Sequence, residues 1–562
     1  MLATDTFLNA RDFLSAHRSD PEGAWRGFAW PQLEHFNWAL DYFDQVADAA
    51  DRLALWVVHE GGGEERLSFA DLTQRSNRTA NFLRRIGVRR GARILLMLGN
   101  ELALWECMLA AMKLGAAVIP ATPQLTGADL ADRLARAQVE HVIVDASHAA
   151  KFDDLAAPFS RIVVGARRPG CACYEDAGAE SAVFVADRPT ARDEEFLLYF
   201  TSGTTAKPKL VLGTQQSYPV GHLSTMYWLG LGRGDLHWNL SSPGWAKHAW
   251  SSFFAPWNAE AAVFAFDAAR FSARTVLDVL HAYPVVSFCA PPTVWRMLVQ
   301  EVLGERPPVL RELASAGEPL NPEVVDEVRE AWGIVIREGY GQTETTAVLG
   351  TPPGVRPRPG AIGKSLPGYR VVLLDEQGVE AMEGEICIGL EPRPLGLMSG
   401  YAGAPERNAI AMRDGYYHTG DIAHRDDEGY IHYVGRSDDV FKVSDYRISP
   451  FELESVLVEH PAVAEAAVVP CPDVVRLAVP KAFVGLAAGH VPSRELAGEL
   501  LAFARARLAP YQRIRRIEFA ELPKTISGKI RRVQLRTAEM GRDPGEARPP
   551  LEFREEYFDP AP

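Results

Sequence analysis

The sequence predicts an α/β fold: a large N-terminal domain of βα-layered sheets, a small β-rich subdomain and a small α/β domain at the C-terminal end. Three observations lead to this prediction. From residue 53 onward, strand-length apolar runs alternate with helix-length segments, which is typical of mainly parallel sheets covered by helices. Beyond Gly360, short strands separated by glycine and aspartate replace this alternation, and after Asp438 a compact α/β module follows.

The elements of the predicted large domain follow one another closely along the chain. Residues 1–50 contain many aromatic side chains and are predicted to form an N-terminal extension that packs onto the body. The alternation then predicts strand 54–59, helix 69–87, strand 92–98, helix 101–115, strand 117–120, helix 128–138 and strand 141–145. Residues 152–187 are predicted to be irregular, and strand 196–200 opens a long α/β stretch that ends near residue 333.

The later elements are shorter and belong to the two smaller units. The β-rich subdomain is predicted to contain strands 369–374, 384–388 and 430–434. The C-terminal module is predicted to contain helix 450–460, strands 463–469 and 482–484, helix 493–508 and strand 516–519. Residues 541–562 are rich in proline and glutamate, which predicts an extended tail. We place the domain boundary at Asp438, so the predicted units are 1–50, 51–437, 438–540 and 541–562.

Composition narrows the classes of protein to which the chain can belong. The formal net charge of −14 over 562 residues argues against non-specific binding to nucleic acid or to anionic membranes. The six cysteines are scattered without metal-ligand spacing, so neither a metal cluster nor a disulfide framework is expected. The first residues do not have the pattern of a signal peptide, and no run of 18 apolar residues occurs. We therefore expect a cytoplasmic protein.

The stretch TSGTTAKPK, residues 201–209, follows a predicted buried strand and is crowded with hydroxyl groups. In such a turn, backbone N–H groups and hydroxyls can donate to phosphate oxygens, while a lysine offsets the phosphate charge. The stretch is not a Walker loop, because GxxxxGK[ST] is absent. A polyphosphate is therefore the predicted ligand, and a surface turn rich in serine and threonine is the structural alternative.

Four further stretches carry groups that suit a nucleotide. AGEP at 316–319 ends a predicted strand with exposed backbone, and YGQTE at 340–344 offers an aromatic face, hydroxyls and a carboxylate. HTGD at 418–421 and Arg436 bring an acid near a base, where Asp421 could bind ribose hydroxyls, and PKTISGK at 523–529 presents a lysine. The structural alternatives are a surface ion pair between Asp421 and Arg436, worth about 0–1 kcal/mol, and a solvated Lys529.

The order and spacing of YFTSGTTAKPK, SAGEP, YGQTET, YHTGD, GRSDDV and PKTISGK resemble the motifs of the adenylate-forming superfamily. Within that superfamily, residues 50–540 are similar to acetyl-CoA and medium-chain acyl-CoA synthetases. The resemblance implies a large N-terminal domain and a small mobile C-terminal domain. It also implies a reaction in two steps. A carboxylate attacks the α-phosphate of ATP and pyrophosphate leaves, and a thiol then captures the acyl-adenylate.

The resemblance also implies roles for individual residues, with ATP, Mg²⁺ and CoA as cofactors and a small-molecule acid as substrate. Lys529, Thr204 and Glu344 would be catalytic. Glu344 and Thr204 would hold Mg²⁺, and Asp438 would be the hinge of the C-terminal domain. A fixed ammonium and Mg²⁺ would stabilise the charge that develops at the α-phosphorus. The implied ATP-binding residues are Thr201, Ser202, Gly203, Thr204, Thr205, Lys209, Gly317, Glu318, Pro319, Tyr340, Gly341, Gln342, Thr343, Asp421, Arg436, Arg447 and Lys529.

Several departures from the family pattern concern the acceptor of the acyl group. The acceptor face implied by the resemblance consists of Ser444, Asp445, Tyr446 and Arg476. Asp445 stands where the family has a glycine, and its carboxylate adds bulk and charge along the path of the pantetheine chain. Leu477 and Ala478 replace a Gly-Glu pair, and Gln512 replaces a common lysine. Ala206 replaces a glycine of the phosphate loop, where we expect activity to survive.

These departures leave the acceptor open. In one hypothesis CoA still binds, and basic side chains hold its phosphates: Arg476, Lys481, Arg505, Arg507, Arg513, Arg515 and Arg516. In the other, the activated group passes to an amine or a carrier protein, or nitrite is activated to diazotise an aryl amine. We favour CoA. A non-catalytic nucleotide-binding module is disfavoured, because Lys529, Glu344 and Asp421 are all present.

The pocket for the acid can be predicted only in outline. Gly341 stands where acetate-specific relatives have a bulky aromatic residue, so the pocket should accept acids larger than acetate. Trp245 matches an aromatic lining position of the family, and His248 is predicted to reach the same cavity. Core packing is the structural alternative for Trp245 and His248, and Lys247 between them could equally be solvated. The identity of the acid and the oligomeric state remain open.

Overall fold

A computed structural model describes residues 3–47, 52–156, 158–201, 208–443, 446–473, 477–525, 529–542 and 548–558. It has the predicted α/β class, with two large sheets, a smaller antiparallel sheet and a separate C-terminal sheet. No helix in these ranges combines the length and the hydropathy that a bilayer crossing requires. The functional site lies where loops from these units meet.

The largest sheet has nine strands in the described part of the chain. In spatial order they are Lys364–Ser365, Leu349–Gly350, Ile336–Tyr340, Glu312–Ala316, Ser287–Ala290, Leu236–Asn239, Ala262–Asp267, Leu53–His59 and Glu64–Ser68. Its central strands pair in parallel, for example with Leu313 opposite Ile336. Because parallel strands point their carboxyl ends the same way, the turns after Ala316 and Tyr340 emerge side by side.

A second sheet has eight strands in the described residues. In order they are Gly400–Tyr401, Lys209–Thr214, Glu195–Thr201, Ala117–Pro120, Arg93–Met97, His141–Asp145, Ser160–Val164 and Ala172–Cys173. The prediction that residues 152–187 are irregular is wrong in part, because Ser160–Val164 pairs in parallel with His141–Asp145. The buried residues of the strand Ser160–Val164 form one short apolar run, Ile162–Val164. This run lacks the alternation of polar and apolar residues that marks a half-exposed strand, so the sequence pattern does not reveal the strand.

The β-rich subdomain is the antiparallel sheet of Val371–Leu374, Glu383–Gly389, Tyr416–Arg425, Met412–Arg413 and Ile431–Arg436. Three of these strands agree with the predicted ones to within a few residues, whereas Tyr416–Arg425 and Met412–Arg413 were not predicted. The pairing of Tyr416–Arg425 with Ile431–Arg436 sets Asp421 opposite Arg436, so the sheet itself brings the acid and the base together. A hairpin of Phe441–Val443 and Tyr446–Ile448 follows this sheet.

The C-terminal sheet consists of Val463–Asp473, Leu477–Leu486, Arg516–Phe519 and Glu552–Arg554. The prediction of an extended tail over 541–562 is therefore wrong for its middle part, because Glu552–Arg554 pairs antiparallel with Arg516–Phe519. Phe553 packs against the core of this module. Glu552 is buried and meets the buried Lys481. The high glutamate content thus reflects a buried ion pair and not only solvation.

Helices cover both faces of the large sheets. The α-helices are Ala3–Ala16, Pro21–Gly27, Asp44–Ala47, Phe69–Arg85, Leu102–Leu114, Gly127–Arg136, Leu223–Leu229, Ala246–Ala249, Ala255–Asn258, Ala273–Ala282, Pro292–Leu298, Pro322–Trp332, Pro405–Ala411, Pro450–Val458, Arg494–Arg507 and Arg532–Met540. π-Helical turns occupy Trp38–Phe43 and Trp250–Phe254, and 3₁₀ turns occupy Ala149–Phe152, Tyr174–Ala179, Pro510–Gln512 and Glu555–Tyr557. The N-terminal residues Phe7, Phe36 and Trp38 are buried in the same core as the body.

Candidate active site

A cleft of about 2970 Å³ separates the large domain from the C-terminal module. Its wall contains the ends of strands Glu195–Thr201, Glu312–Ala316 and Ile336–Tyr340, together with the adjoining loops. The predicted site residues that line it in the described ranges are Thr201, Lys209, Trp245, Gly317, Glu318, Pro319, Tyr340, Gly341, Gln342, Thr343, Glu344, Asp421, Arg436 and Lys529. Motifs up to 328 residues apart in sequence thus converge on one space.

Asp421 is the centre of a buried hydrogen-bond network on the cleft wall. Its Oδ2 accepts from the hydroxyl of Tyr340 and from Nε2 of Gln342, each at 2.6 Å. Its Oδ1 accepts from the hydroxyl of Tyr433 at 3.1 Å and from Nη1 of Arg436 at 3.2 Å. Because Asp421 is only 4% exposed, its contact with Arg436 is not a surface ion pair. Four donors fix the orientation of this carboxylate.

A second carboxylate, Glu344, lies next to a cation. Its Oε1 accepts from the hydroxyl of Tyr401 at 2.9 Å, and Glu344 is buried. The ammonium of Lys209 lies 4.9 Å from the centre of the Tyr401 ring. Burial lowers the pKa of Lys209, while the nearby charge of Glu344 acts in the opposite direction. The cleft therefore holds the carboxylate of Glu344 and the ammonium of Lys209 near each other, at the start of the strand Lys209–Thr214.

Lys529 reaches from the C-terminal module into the large domain. Its Nζ donates to the carbonyl oxygen of Gly317 at 3.0 Å, a contact that joins residues 212 positions apart. Gly317 has a φ of +111°, a conformation that other residues adopt only with strain. Glu318 beside it lies 3.6 Å from Arg296. Lys529 is exposed, as in the structural alternative, but its ammonium also has a hydrogen-bond partner across the cleft.

The residues predicted to line the acid pocket separate into two groups. Trp245 precedes the short helix Ala246–Ala249 and lines the cleft with Gly341. A Cβ atom on Gly341 would lie 2.6 Å from Cη2 of Trp250 and 2.2 Å from the carbonyl oxygen of Thr346. The space beside Gly341 is therefore already filled by the edge of the Trp250 indole.

His248 does not belong to the lining of the cleft. It is buried, its Nε2 lies 3.3 Å from Oδ1 of Asn100, and its ring packs near Trp105. Burial lowers the pKa of His248 to about 3, so this imidazole is neutral at pH 7. The structural alternative of core packing describes His248 better than the predicted role in the pocket.

The predicted hinge residue lies beside the junction of the two domains. The main-chain oxygen of Asp438 accepts from Nη1 of Arg536, and Nε of Arg436 lies 3.6 Å from its carboxylate. Arg536 belongs to the helix Arg532–Met540 and also contacts Asp439 at 3.0 Å. The C-terminal module therefore contacts the predicted hinge residue, Asp438, and its neighbour Asp439.

Several predicted residues fall outside the described part of the chain. These are Ser202, Gly203, Thr204, Thr205, Ala206, Ser444, Asp445 and Arg476. The backbone of Tyr446 and Arg447 lies in the strand Tyr446–Ile448, while their side chains are outside the description. The predicted roles of these residues in phosphate binding, metal binding and acceptor binding stay predictions.

The basic residues proposed to hold the phosphates of CoA are mostly engaged elsewhere. Lys481 is buried, and its ammonium contacts Glu518 at 2.7 Å, Glu539 at 2.8 Å and Glu552 at 2.6 Å. Arg513 and Arg515 both pair with Glu555. The prediction that Lys481 binds CoA is wrong, because its charge is enclosed by these three carboxylates. The tail supplies one of them, Glu552, and also Glu555.

Three functional candidates of the cleft had no assigned role in the sequence. Tyr401 contacts Glu344 from a strand that carries no nucleotide motif, and Tyr433 contacts Asp421 from a position three residues before Arg436, outside the GRSDDV motif. Neither tyrosine is marked by a motif of its own. The sequence left open whether Lys247 is solvated, and in the structure its ammonium donates to the carbonyl oxygen of Ala316 at 3.0 Å. Its position two residues after Trp245, in the short helix that Trp245 precedes, is the signal that could have identified it.

The described residues fit a nucleotide with Mg²⁺. Asp421 presents a fixed carboxylate of the kind that binds ribose hydroxyls, and Tyr340 places an aromatic ring beside it. Glu344 offers carboxylate oxygen, the ligand type that Mg²⁺ prefers, and Lys209 offers a cation for phosphate oxygens. With Trp245 and Trp250 beside this set, the cleft can hold a triphosphate and an organic acid together. This arrangement defines an enzyme that joins an acid to a nucleotide.

Comparison with known proteins agrees with this class. The family model of the AMP-binding enzymes matches residues 42–402, and the model of their C-terminal domain matches residues 452–529. The chain is 42% identical over 520 residues to 4-hydroxybutyrate–CoA ligase 1 of Metallosphaera sedula, covering 90% of this chain and 91% of that protein. It is 38% identical over 527 residues to the mitochondrial acyl-coenzyme A synthetase ACSM3 of Mus musculus, again covering 90% and 91%.

Solved structures give the same result. The anthranilate CoA ligase AuaEII in complex with anthranoyl-AMP matches with a TM-score of 0.80 and 27% identity, covering 91% of this chain and 98% of that one. A benzoate CoA ligase from Burkholderia xenovorans LB400 matches with a TM-score of 0.77 and 28% identity, covering 89% and 100%. The chain belongs to the AMP-binding enzyme family and is an AMP-forming ligase, as the sequence motifs predict.

Proposed function

We propose that the protein is an ATP-dependent acid:CoA ligase that acts on a carboxylic acid larger than acetate. It converts the acid, ATP and CoA into an acyl-CoA, AMP and diphosphate through an acyl-adenylate. The observation that carries this proposal is the contact of Lys529 with Gly317, which brings a cation into the cleft beside the residues that suit a nucleotide. The similarity to CoA ligases over 90% of the chain supports the same activity.

The first step needs charge compensation more than proton transfer. A carboxylic acid is already ionised at pH 7, so it can attack the α-phosphorus without a general base. The obstacle is the approach of two anions. Lys529 and Lys209 line the cleft and offset this repulsion, and Lys529 is proposed to bridge the carboxylate and the α-phosphate. Asp421 and Tyr340 orient the nucleoside, so that the α-phosphorus lies in line with the incoming oxygen.

Mg²⁺ would be held by Glu344 together with Thr204, and when bound it neutralises charge on the phosphate oxygens. The residues of the chain then determine the geometry. Tyr401 fixes one oxygen of Glu344 by a hydrogen bond of 2.9 Å, which orients the carboxylate. Pyrophosphate is proposed to leave along the side of residues 201–209, and Thr343 is proposed to contact the α-phosphate.

In the second step the thiolate of CoA attacks the acyl carbonyl, and the bond from that carbon to the AMP oxygen breaks. We propose that the C-terminal module turns about Asp438 between the steps. This motion would remove Lys529 from Gly317 and bring the face of residues 444–446 and 476 to the cleft. Asp445 on that face is the feature that favours a second candidate acceptor, an amine or a carrier-protein thiol.

The proposed acid is of medium chain length or aromatic. The pocket beside the nucleotide site is lined by Trp245 and Trp250, whose faces suit an apolar chain or ring. The named relatives act on 4-hydroxybutyrate, anthranilate and benzoate, all of which are larger than acetate. We propose the cytoplasm as the compartment, in keeping with six cysteines that all have free thiols.

A screen of acids tests the proposal. Purified protein with ATP and Mg²⁺ would be offered acetate, butanoate, octanoate, 4-hydroxybutanoate, benzoate, 2-aminobenzoate and nitrite. We expect ATP–pyrophosphate exchange that depends on an acid larger than acetate, and one acyl-CoA per AMP when CoA is added. A different result would show that the acceptor is not CoA. In that case exchange would occur without thioester formation, and AMP would be released when an amine, or an aryl amine together with nitrite, is added. Absence of exchange with every acid would overturn the proposal.

A further inference from the structure

Lys247 lies in the cleft between Trp245 of the acid pocket and the turn at residues 316–317 that Lys529 contacts. It is two residues from Trp245 of the acid pocket, and its Nζ donates to the carbonyl oxygen of Ala316 at 3.0 Å. The next carbonyl along the chain, that of Gly317, accepts from Lys529 at the same distance. Two ammonium groups are therefore fixed on consecutive carbonyls of one turn.

The charge of Lys247 is not balanced by an adjacent carboxylate. Within the described ranges, no carboxylate oxygen lies within 4.0 Å of its ammonium, and the nearby Glu318 is engaged with Arg296 at 3.6 Å. Burial lowers the pKa of Lys247, Cys289 and Glu318 act against this lowering, and the charge of Lys529 adds to it. A partly buried ammonium that has no adjacent carboxylate and lies near a second ammonium favours an anionic ligand.

Other buried lysines of the chain show what a purely structural lysine has as partners. Lys113 is fully buried, and its ammonium contacts Asp44 at 2.8 Å. Lys481 is enclosed by three carboxylates. Lys247 differs from both, because its recorded partner is a single neutral carbonyl and it lines the cleft. A ligand is therefore the natural source of the missing negative charge.

We propose that Lys247 binds the carboxylate of the acid substrate opposite Lys529, and that it is a specificity residue for the anionic form of the acid. This inference rests on the proposed ligase function. The carbonyl of Ala316 holds the ammonium at the mouth of the pocket, so Lys247 binds the carboxylate before Lys529 arrives on the C-terminal module. Both ammonium groups reduce the repulsion between the carboxylate and the α-phosphate.

The test compares Lys247→Met, which keeps an unbranched side chain one heavy atom shorter, with wild-type protein in ATP–pyrophosphate exchange, using butanoate and benzoate. A charge-assisted hydrogen bond is worth about 1.5–3 kcal/mol, so the KM for the acid should rise roughly tenfold or more. The KM for ATP should change less than about threefold, because the proposal gives Lys247 the acid and not the nucleotide as its ligand. Lys247→Arg should restore part of the affinity. Benzamide, which is uncharged, should inhibit wild type and Lys247→Met equally.

Lys151→Met is the matched control. Its ammonium also donates to a main-chain carbonyl, that of Leu125 at 3.1 Å, but it does not line the cleft. This variant should keep the wild-type KM for both substrates. Lys247→Gln and thermal melting curves identify any variant that fails to fold. An unchanged acid KM in a folded Lys247→Met or Lys247→Gln protein would overturn the inference while leaving the ligase function intact. Lack of exchange in wild type would instead overturn the proposed function.

Discussion

Trp250 is the residue that limits the space in the acid pocket. Gly341 has no side chain, yet a Cβ atom there would lie 2.6 Å from Cη2 of Trp250, so the absence of a side chain at 341 is what makes room for the indole. The indole is held in place, because its Nε1 donates to the hydroxyl of Tyr218 at 3.2 Å. Because position 341 is a glycine, the indole of Trp250 occupies the space that a side chain at 341 would fill. We therefore expect the size of the accepted acid to depend on Trp250.

Replacing Trp250 with phenylalanine tests this assignment. The smaller ring removes the indole edge beside Gly341, and we expect the pocket to lengthen. The ratio of kcat/KM for octanoate to that for butanoate should rise about tenfold, since one or two methylenes in an apolar pocket are worth roughly 1–3 kcal/mol. Trp257→Phe is the control, because Trp257 is equally buried but does not line the cleft. An unchanged ratio in Trp250→Phe would assign the size limit to another residue.

The strand Glu552–Arg554 is the element that completes the C-terminal module. It pairs with Arg516–Phe519 and brings Glu552 to the buried ammonium of Lys481, which also contacts Glu518 and Glu539. Burial opposes the charge of Lys481, yet its contacts with these carboxylates raise its pKa. The module is therefore held together by a buried cluster of unlike charges, in which removal of one partner is strongly destabilising.

This cluster predicts that the module loses stability in acid. Burial tends to raise the pKa of Glu539, but hydrogen bonds from Lys481 and Cys471 lower it from 4.5 to about 2. A folded pKa below the unfolded one contributes stability above pH 4.5 that is lost as the pH falls towards 2. Thermal melting of wild type and Glu539→Gln between pH 7 and pH 3 measures this effect.

Glu539→Gln should melt lower than wild type at pH 7 and show a flatter dependence on pH. Glu521→Gln, which changes an exposed carboxylate of the same module, should behave as wild type. If Glu539→Gln and wild type lost melting temperature in parallel as the pH falls, Glu539 would not be the titrating group.

At the scale of the whole molecule, the charge distribution indicates an anionic ligand. The chain has a net charge of −14, yet the described lining of the cleft contains eleven lysines and arginines against eight aspartates and glutamates. A local excess of positive charge in a cleft raises the concentration of anions at that place. ATP and a carboxylate acid are both such anions.

The sequence predicts the strands and site residues that a local pattern marks. It does not predict side-chain contacts between residues that are distant in the chain. Strand Ala117–Pro120 is predicted to the residue, because a buried parallel strand is an apolar run between helices. The nucleotide motifs likewise mark Asp421 and Lys529. Tyr433 and Tyr401 have no such motif and act only through contacts made by folding. Lys481 resembles a surface cation until Glu518, Glu539 and Glu552 enclose it, and their spacing of up to 34 residues forms no pattern.

The contact between Lys529 and Gly317 captures the molecule in the arrangement proposed for adenylation. Lys529→Ala should reduce acid-dependent ATP–pyrophosphate exchange by at least about 100-fold, because the transition state loses a fixed cation. The same variant, given preformed benzoyl-AMP and CoA, should make the thioester at close to the wild-type rate, since the proposed rotation takes Lys529 out of the cleft before that step.

The control for Lys529→Ala is a lysine of the same loop. Lys524 pairs with Glu465 at 2.7 Å, so Lys524→Ala removes an equal charge without touching Gly317. It should retain both reactions. If Lys529→Ala lost exchange and thioester formation equally, Lys529 would be needed in both steps. One arrangement of the two domains, with Lys529 at Gly317, would then serve both steps. Selective loss of exchange requires that the C-terminal module withdraws its cation before the thiol enters.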